Sequence, residues 1–375
     1  MIKIDLNAAI ISSGQNAYML HPGKNYHLFT TFARNDALSA DLPNLVLLDG
    51  QAPNRAFEFD AQLNRARALR DWLALSEVDR AKVEVSEDIE SYIGKDKRRY
   101  HDSYSENLHH LLWSIPEGNV FFVPNPDLSG RGFFCELENA TQSRKIFRGQ
   151  RLAKKYSYVG RPIRNLKWVP MRLIPPEVLE AKSRQTVITE FDKIISEKLY
   201  RLYYGSFCVN GDITQMEFDV NTKNFRPTDS NIINALANFF ENNLQRLENG
   251  ETVAVSLLDS VFLSYDEKEL QMHARLNSEG VLQIAAKSVS PMVLSAFIAL
   301  TSVASAQDIV SKVKDRSIRI ENSGCPLDDE YPRLIEKRLF GIVDMMGEED
   351  LASICDRIKQ LTLNNKITAD AKARD

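Results

Sequence analysis

The sequence is poor in the residues that most often carry chemistry: 375 residues include four cysteines, six histidines and three tryptophans. Cys135, Cys208, Cys325 and Cys355 stand at least thirty residues apart and form no C-x-x-C pair. Neither a zinc site nor a disulfide framework is therefore expected, and reduced, buried thiols are. His109 and His110 fall in "SENLHHLLWSIPEG", where helical spacing turns Leu108, Leu111 and Leu112 inward and leaves both imidazoles at the surface, so no metal site is expected. The phosphate-loop, dinucleotide-fold, serine-hydrolase and zinc-protease motifs are all missing, which removes support for those chemistries and for any cofactor. The opening "MIKIDLNAAIISSGQN" has no basic start and no continuous apolar run, so a cytoplasmic protein is expected. Ser288–Gln307 carries no charge, but its serines and Pro291 keep it only modestly apolar. A buried helix or a subunit interface is expected there rather than a membrane span.

What is present fits a folded protein, with 43% hydrophobic and 26% charged residues. The length exceeds that of most single cores, so two domains are expected. The predicted fold class is α+β. Residues 1–180 read as mostly β and barrel-like with helices, residues 181–365 as an antiparallel sheet with packed helices, and 366–375 as a disordered tail. Short apolar runs between turn formers place strands in the first 48 residues, and a helix is predicted from Phe57 to about Ala81. "GNVFFVPNPDLSGRGFFCEL" predicts a hairpin. After Pro175 and Pro176 one long helix is expected to begin, followed by strands at 207–220, a helix at 229–249, strands at 252–264, 269–277 and 280–289, and helices over 290–313 and 329–361.

The strongest feature is "RKIFRGQRLAKKYSYVGRPIRNLKWVPMR". Between Glu138 and Glu177 there is no acid, while Arg144, Lys145, Arg148, Arg151, Lys154, Lys155, Arg161, Arg164, Lys167 and Arg172 supply ten positive charges in a chain of net charge -4. Ordinary surfaces mix both signs because like charges repel. A polyanion would relieve that repulsion, and binding to it would weaken with added salt. Phe147, Tyr156, Tyr158 and Trp168 are interleaved with the charges and could stack on exposed bases. Nucleic acid is thus the predicted partner. An acidic protein partner and a strand core with a solvated basic face are the alternatives.

The order "EGNVFFVPNPDLSGRGFFCEL", a basic insert, then "YSYVGRPIRNLKWVPMRLIPPEVLEA" resembles the PUA-like and EVE-like sensor modules at the front of Mrr-type and McrB-type restriction proteins. The positions that carry the resemblance are Gly118, Val123, Pro124, Gly132, Arg161, Arg164, Lys167 and Trp168, over about residues 115–185. It implies a nucleic-acid or modified-base sensor of the kind used in bacterial defence against phage, with Trp113, Tyr156, Tyr158 or Trp168 as walls of an aromatic cage for a flipped base. Asn119, where an acid often stands, and "GFFCEL" depart from the pattern.

Restriction proteins with such a front end often carry a Mg²⁺ nuclease that needs two carboxylates and a lysine. The nearest match here, "VLQIAAKS", has Lys287 in place but Ala285 at the carboxylate position, with Asp259 or Asp266 as the first acid. Three readings follow: a nucleic-acid-binding sensor or adaptor with a protein partner or second copy on its C-terminal domain, a divergent nuclease, and a structural subunit that binds an acidic protein.

Overall fold

The computed structural model describes residues 1–46, 56–93, 106–139, 145–152, 154–183, 186–209, 213–221, 223, 225–262, 270–275, 280–324, 330–362 and 366–374. The protein is a mixed α+β structure with three sheets among the described residues. Its contacts gather into two units, a discontinuous one of Met1–Ser13 with Tyr204–Asp375 and a continuous one of Gly14–Tyr203. The boundary expected near residue 180 falls inside the continuous unit.

The chain starts in the discontinuous unit. β1 (Ile2–Asp5) alternates fully buried Ile2 and Ile4 with exposed Lys3, the pattern of a strand with one face on a core. β2 (Ala9–Ile11) follows it.

The continuous unit then runs β3 (Ala17–Leu20), α1 (Phe29–Asn35), β4 (Ala37–Leu38), α2 (Ala56–Leu73), α3 (Glu77–Arg80), β5 (Val120–Val123), β6 (Arg131–Leu137), β7 (Lys145–Arg151), β8 (Lys154–Pro170), α4 (Pro176–Lys182), β9 (Ile188–Glu190) and α5 (Lys193–Tyr203). The sheet order is β4-β8-β6-β5-β3-β9, with β7 also on β8. Its curl into a half-barrel follows from β8. This one strand of 17 residues pairs β7 along its first half, β4 at Arg161 and Pro162, and β6 along its second half. Gly160 lets β4 come this close, because a Cβ there would stand 2.5 Å from the Leu38 carbonyl oxygen. Phe32, Phe121, Phe133 and Tyr158 fill the core behind it. The single helix expected after Pro176 is instead α4, β9 and α5. The β-branched run Thr186–Thr189 favours extended backbone, and β9 adds to the edge of β3 with Ile188 buried.

The discontinuous unit resumes with β10 (Phe207–Val209), β11 (Ile213–Val220), α6 (Pro227–Glu248), α7 (Leu257–Phe262), β12 (Leu270–Arg275), β13 (Val281–Ala286), α8 (Ser290–Thr301), α9 (Ala306–Lys314), β14 (Ile318–Glu321), α10 (Glu330–Met345), α11 (Glu348–Thr362), β15 (Ile367–Ala369) and β16 (Lys372–Arg374). One sheet has the order β12-β13-β11-β10-β2 with β15 on β11, and a smaller one the order β14-β1-β16. Every residue of α8 is buried, which accounts for its lack of charge. Among the described residues no single helix is long and apolar enough to cross a membrane.

Several expectations are corrected here. The run expected as a strand over 252–264 contains α7. Asn243 fixes its approach by accepting from Val255 N–H at 2.7 Å and donating to the Val255 carbonyl at 3.3 Å. The helix expected over 290–313 bends by 116° between α8 and α9, where Ser305 and Asp308 form a capping box. The last helix divides near Gly347 into α10 and α11. The tail expected to be disordered forms β15 and β16, with Ile367 and Ala369 buried.

Because Ile4 is fully buried on β1, Ile4→Ala should destabilise the discontinuous unit by about 2–5 kcal/mol. Lys3→Ala should change it by less than about 0.5 kcal/mol. Urea denaturation of the two variants measures the difference.

Candidate nucleic-acid interface

β7 and β8 form a hairpin whose register pairs Phe147 with Tyr158, Gly149 with Tyr156, Arg148 with Ser157 and Gln150 with Lys155. Side chains alternate across a strand, so Phe147, Tyr156 and Tyr158 share the core face while Arg148 and Lys155 share the opposite one. Lys145, Arg148, Lys154 and Lys155 are all exposed, and none has an ion-pair or hydrogen-bond partner among the described residues. Ile146, 72% exposed, and Leu152 lie among them. Arg144 lies outside the described residues.

Arg161, Arg164 and Lys167 have structural partners. Arg161 is buried and donates to three backbone carbonyls, those of Glu138 at 2.9 Å, Leu111 at 3.3 Å and Ile115. Burial pulls its guanidinium down to about 10, so it remains charged at neutral pH. Between Phe134 and Glu136 the register with β8 slips at a bulge where Asn165 has φ +55°, and Arg164 comes directly opposite Glu136. Its Nε lies 3.0 Å from the Glu136 carboxylate, and that hydrogen bond raises its pKa further. Lys167 donates to the Tyr203 carbonyl at 2.8 Å. Arg172 is exposed on the turn that follows β8.

The aromatic residues predicted to stack on bases are placed differently from one another. Tyr156 and Tyr158 are buried, and Tyr158 stacks on Phe147 with centroids 5.8 Å apart. Burial pushes the Tyr158 hydroxyl well above its ordinary pKa. Trp168 is 43% exposed and stands edge-on to Phe29 and Phe133. Trp113 packs on His109. Tyr156 and Tyr158 therefore belong to the core, while Trp168 keeps an accessible face.

Sequence reasoning missed a polar cluster at the end of β7. "HPGKNYHL" forms a loop in which Gly23, Asn25 and Tyr26 all have φ between 57° and 76°. Left-handed backbone at two successive residues other than glycine is costly and concentrates at sites that bind or react. The loop sets His27 Nε2 3.2 Å from Asp41 Oδ1, and Arg151 Nη1 lies 3.7 Å from Asp41 Oδ2. Neither approach is aligned as a hydrogen bond, so His27 Nε2, Asp41 Oδ1 and Arg151 Nη1 are buried polar atoms without a hydrogen-bond partner. Gly23 is required beneath them, since a Cβ would meet His27 Cε1 at 2.7 Å and Asp41 Oδ2 at 2.9 Å. His21 leans on Tyr26 at 4.6 Å, and Lys182 lies over the other aromatic ring at 5.2 Å. The consecutive turn formers Pro22, Gly23, Lys24 and Asn25 were visible in the sequence. Their convergence with Asp41 and Arg151 was not.

Of the positions behind the restriction-module resemblance, Val123, Gly132, Arg161, Arg164, Lys167 and Trp168 fall on β5, β6 and β8, while Gly118 and Pro124 flank β5. Asn119, in place of the usual acid, is buried, accepts from Asn16 N–H at 2.7 Å and donates to the Pro116 carbonyl. No protein-family model, curated protein or solved structure matches the chain. For the nuclease alternative, Lys287 is exposed just beyond β13 and Ala285 pairs with Gln215, while Asp266 lies outside the described residues. Among the described residues no three His, Cys, Asp or Glu side chains are grouped to hold a metal ion. Cys135, Cys208 and Cys355 are buried thiols outside any disulfide; Cys325 lies outside the described residues.

Arg161→Ala leaves three buried carbonyls without their donor and should destabilise the continuous unit by about 3–5 kcal/mol. Lys155→Ala should cost less than about 0.5 kcal/mol. Guanidinium denaturation compares them. His21 is held below its ordinary pKa of 6.5, by burial first and by the Lys182 charge second. The unfolded chain therefore binds that proton first, and this contribution to stability is complete above pH 6.5 and is lost as pH falls through the folded-state value. His21→Phe should flatten that part of the stability–pH curve, which thermal melts over pH 4.5–8 would show.

Proposed function

We propose that the protein is a nucleic-acid-binding sensor or adaptor. In this reading Gly14–Tyr203 is a half-barrel module that holds DNA or RNA, and the α+β remainder with its packed helices carries the contacts to a protein partner or a second copy. The observation that supports it most is the hairpin of β7 and β8, which carries four exposed cations, Arg148 and Lys155 on its outer face and Lys145 and Lys154 at its two ends, with no carboxylate partner among the described residues. A phosphate backbone supplies the missing negative charge, and Arg148 can grip it through paired donors. Trp168, 43% exposed, offers a ring face on which a base could stack. The resemblance to restriction-protein sensor modules agrees with this assignment and suggests a cytoplasmic role in bacterial defence against phage.

The surface so assigned is narrower than the basic stripe: Lys145, Arg148, Lys154 and Lys155 contact phosphate, whereas Arg161, Arg164 and Lys167 shape the sheet. Filter binding to single- and double-stranded DNA and RNA at two or more salt concentrations tests it. If all four cations meet phosphates, their replacement by glutamine should reduce the steepness of log K against log salt by about 3–4 for a duplex. Unchanged affinity and slope in the fourfold variant would overturn the assignment.

A second reading rests on Ile146 and Leu152, large apolar side chains exposed beside the same cations. An acidic protein with an apolar patch would fit that mixture. Such a partner would co-elute in size-exclusion chromatography after nuclease treatment and be lost on Ile146→Ser.

A further inference from the structure

The chain from α2 to Tyr92 forms an open groove of about 430 Å³, lined by Trp72, Leu75, Val83, Val85 and Tyr92 together with the acids Asp71 and Glu84. The polar groups of its walls are already occupied. Trp72 donates to the Val83 carbonyl at 2.9 Å, Tyr92 to the Ser86 carbonyl at 3.3 Å and Ser91 to the Asp88 carbonyl at 2.7 Å. What the groove presents is therefore apolar surface, with Leu75 and Val83 exposed within it, and a border of charge. Residues 77–90 hold six acids, Glu77, Asp79, Glu84, Glu87, Asp88 and Glu90, against two bases, Arg80 and Lys82, a surplus of four negative charges. The nearby bases are engaged: Arg70 on Asp71 at 2.7 Å, Lys82 on Asp79 at 3.3 Å and Arg80 on the Leu75 carbonyl at 3.0 Å. Glu77, Glu84, Glu87 and Glu90 are exposed and have no ion-pair partner among the described residues. Glu84 lines the groove, and Glu87–Glu90 is the link between Ser86 and Ser91, which line it as well. No residue of that link is more than two positions from the wall, inside a screening length of about 10 Å, so the surplus makes the groove negative whichever way each carboxylate turns.

The complement of this surface is on the same unit. The β7–β8 hairpin turns at exposed Leu152, with exposed Lys154 and Lys155 directly after it. None of its four exposed cations pairs with a carboxylate of its own chain among the described residues, so hairpin and groove do not satisfy each other within one molecule. Between two molecules they match in both charge and apolar surface. We propose that the hairpin turn of one copy docks in the groove of a second copy, with Leu152 on the apolar lining and Lys154 and Lys155 beside Glu84, Glu87 and Glu90. The two patches differ, so the contact is heterologous: every copy added leaves one groove and one hairpin open, and the assembly grows head to tail. A contact of this size, held by exposed charges, is weak and loosened by salt. It rests on the hairpin being open, as the function proposed above does, and does not require that nucleic acid bind there.

Sedimentation velocity of the nuclease-treated full chain tests this. At low salt the weight-average mass should rise with protein concentration, and at high salt it should return to that of one chain. Glu84→Lys, Glu87→Lys and Glu90→Lys together, or Lys154→Glu and Lys155→Glu together, should weaken the association at least tenfold, and Leu152→Ser severalfold. All six positions are exposed, so the melting temperature should hold in each variant. An equimolar mixture of the two charge-reversed chains regains a matched groove and hairpin at every contact and should associate again, as should one chain carrying both reversals. A native chain that stays monomeric at low salt, association that either reversal leaves unchanged, or reversed chains that do not recover on mixing would overturn the proposal. Self-association without nucleic-acid binding would remove only the function proposed above, and nucleic-acid binding by a chain that stays monomeric would remove only this contact.

Discussion

The continuous unit depends on one buried charge. Arg161 sits where β8 passes from β7 to β6, at the point where β4 joins it, and its guanidinium is met by three carbonyls rather than by a carboxylate. Two of them belong to the turn that ends in Ile115, and the third lies just beyond β6. A charged group in a poorly polar surrounding keeps every available acceptor, because losing one leaves the charge less solvated. The side chain therefore ties the turn that ends in Ile115 to β8, beside the end of β6, which is itself paired with β8.

That constraint explains how a stretch of one sign serves several ends. Alternation along a strand sends successive side chains to opposite faces, so nearness in sequence is not nearness in space. The bulge opposite Cys135 changes the phase once more and brings Arg164 onto Glu136. Arg151 turns toward Asp41, Lys167 toward the backbone of α5, and Lys145, Arg148, Lys154 and Lys155 remain in water. The self-repulsion that ten adjacent cations would suggest is thus divided among separate environments.

Local patterns were legible where a short segment determined its own structure. The β5–β6 hairpin, the helix of Pro227–Glu248 and the paired strands β12 and β13 follow from alternation, turn residues and periodicity. Misreadings arose where tertiary contacts decided the outcome. The β-branched residues near Val187 could extend only because β3 presented an edge, and α7 formed where Asn243 took the backbone of Val255. The positive charge between Glu138 and Glu177 was legible as composition. Its division into structural and solvated cations was not, because that depended on the strand register and on Asp41, Glu136 and Tyr203, which lie far away in the chain. The His27–Asp41–Arg151 cluster escaped notice for the same reason.

The passage of the chain through its two units sets an order for assembly. Met1–Ser13 is synthesised before its partners: β1 must wait for β14 and β16, and β2 for β10, all of which lie beyond Tyr204. Gly14–Tyr203 is by then fully synthesised and can mature on its own, as units of nascent chains commonly do. Until those residues are made, β1 and β2 are strands without neighbours. Their brevity, four residues and three, limits how far they can pair with a stranger meanwhile.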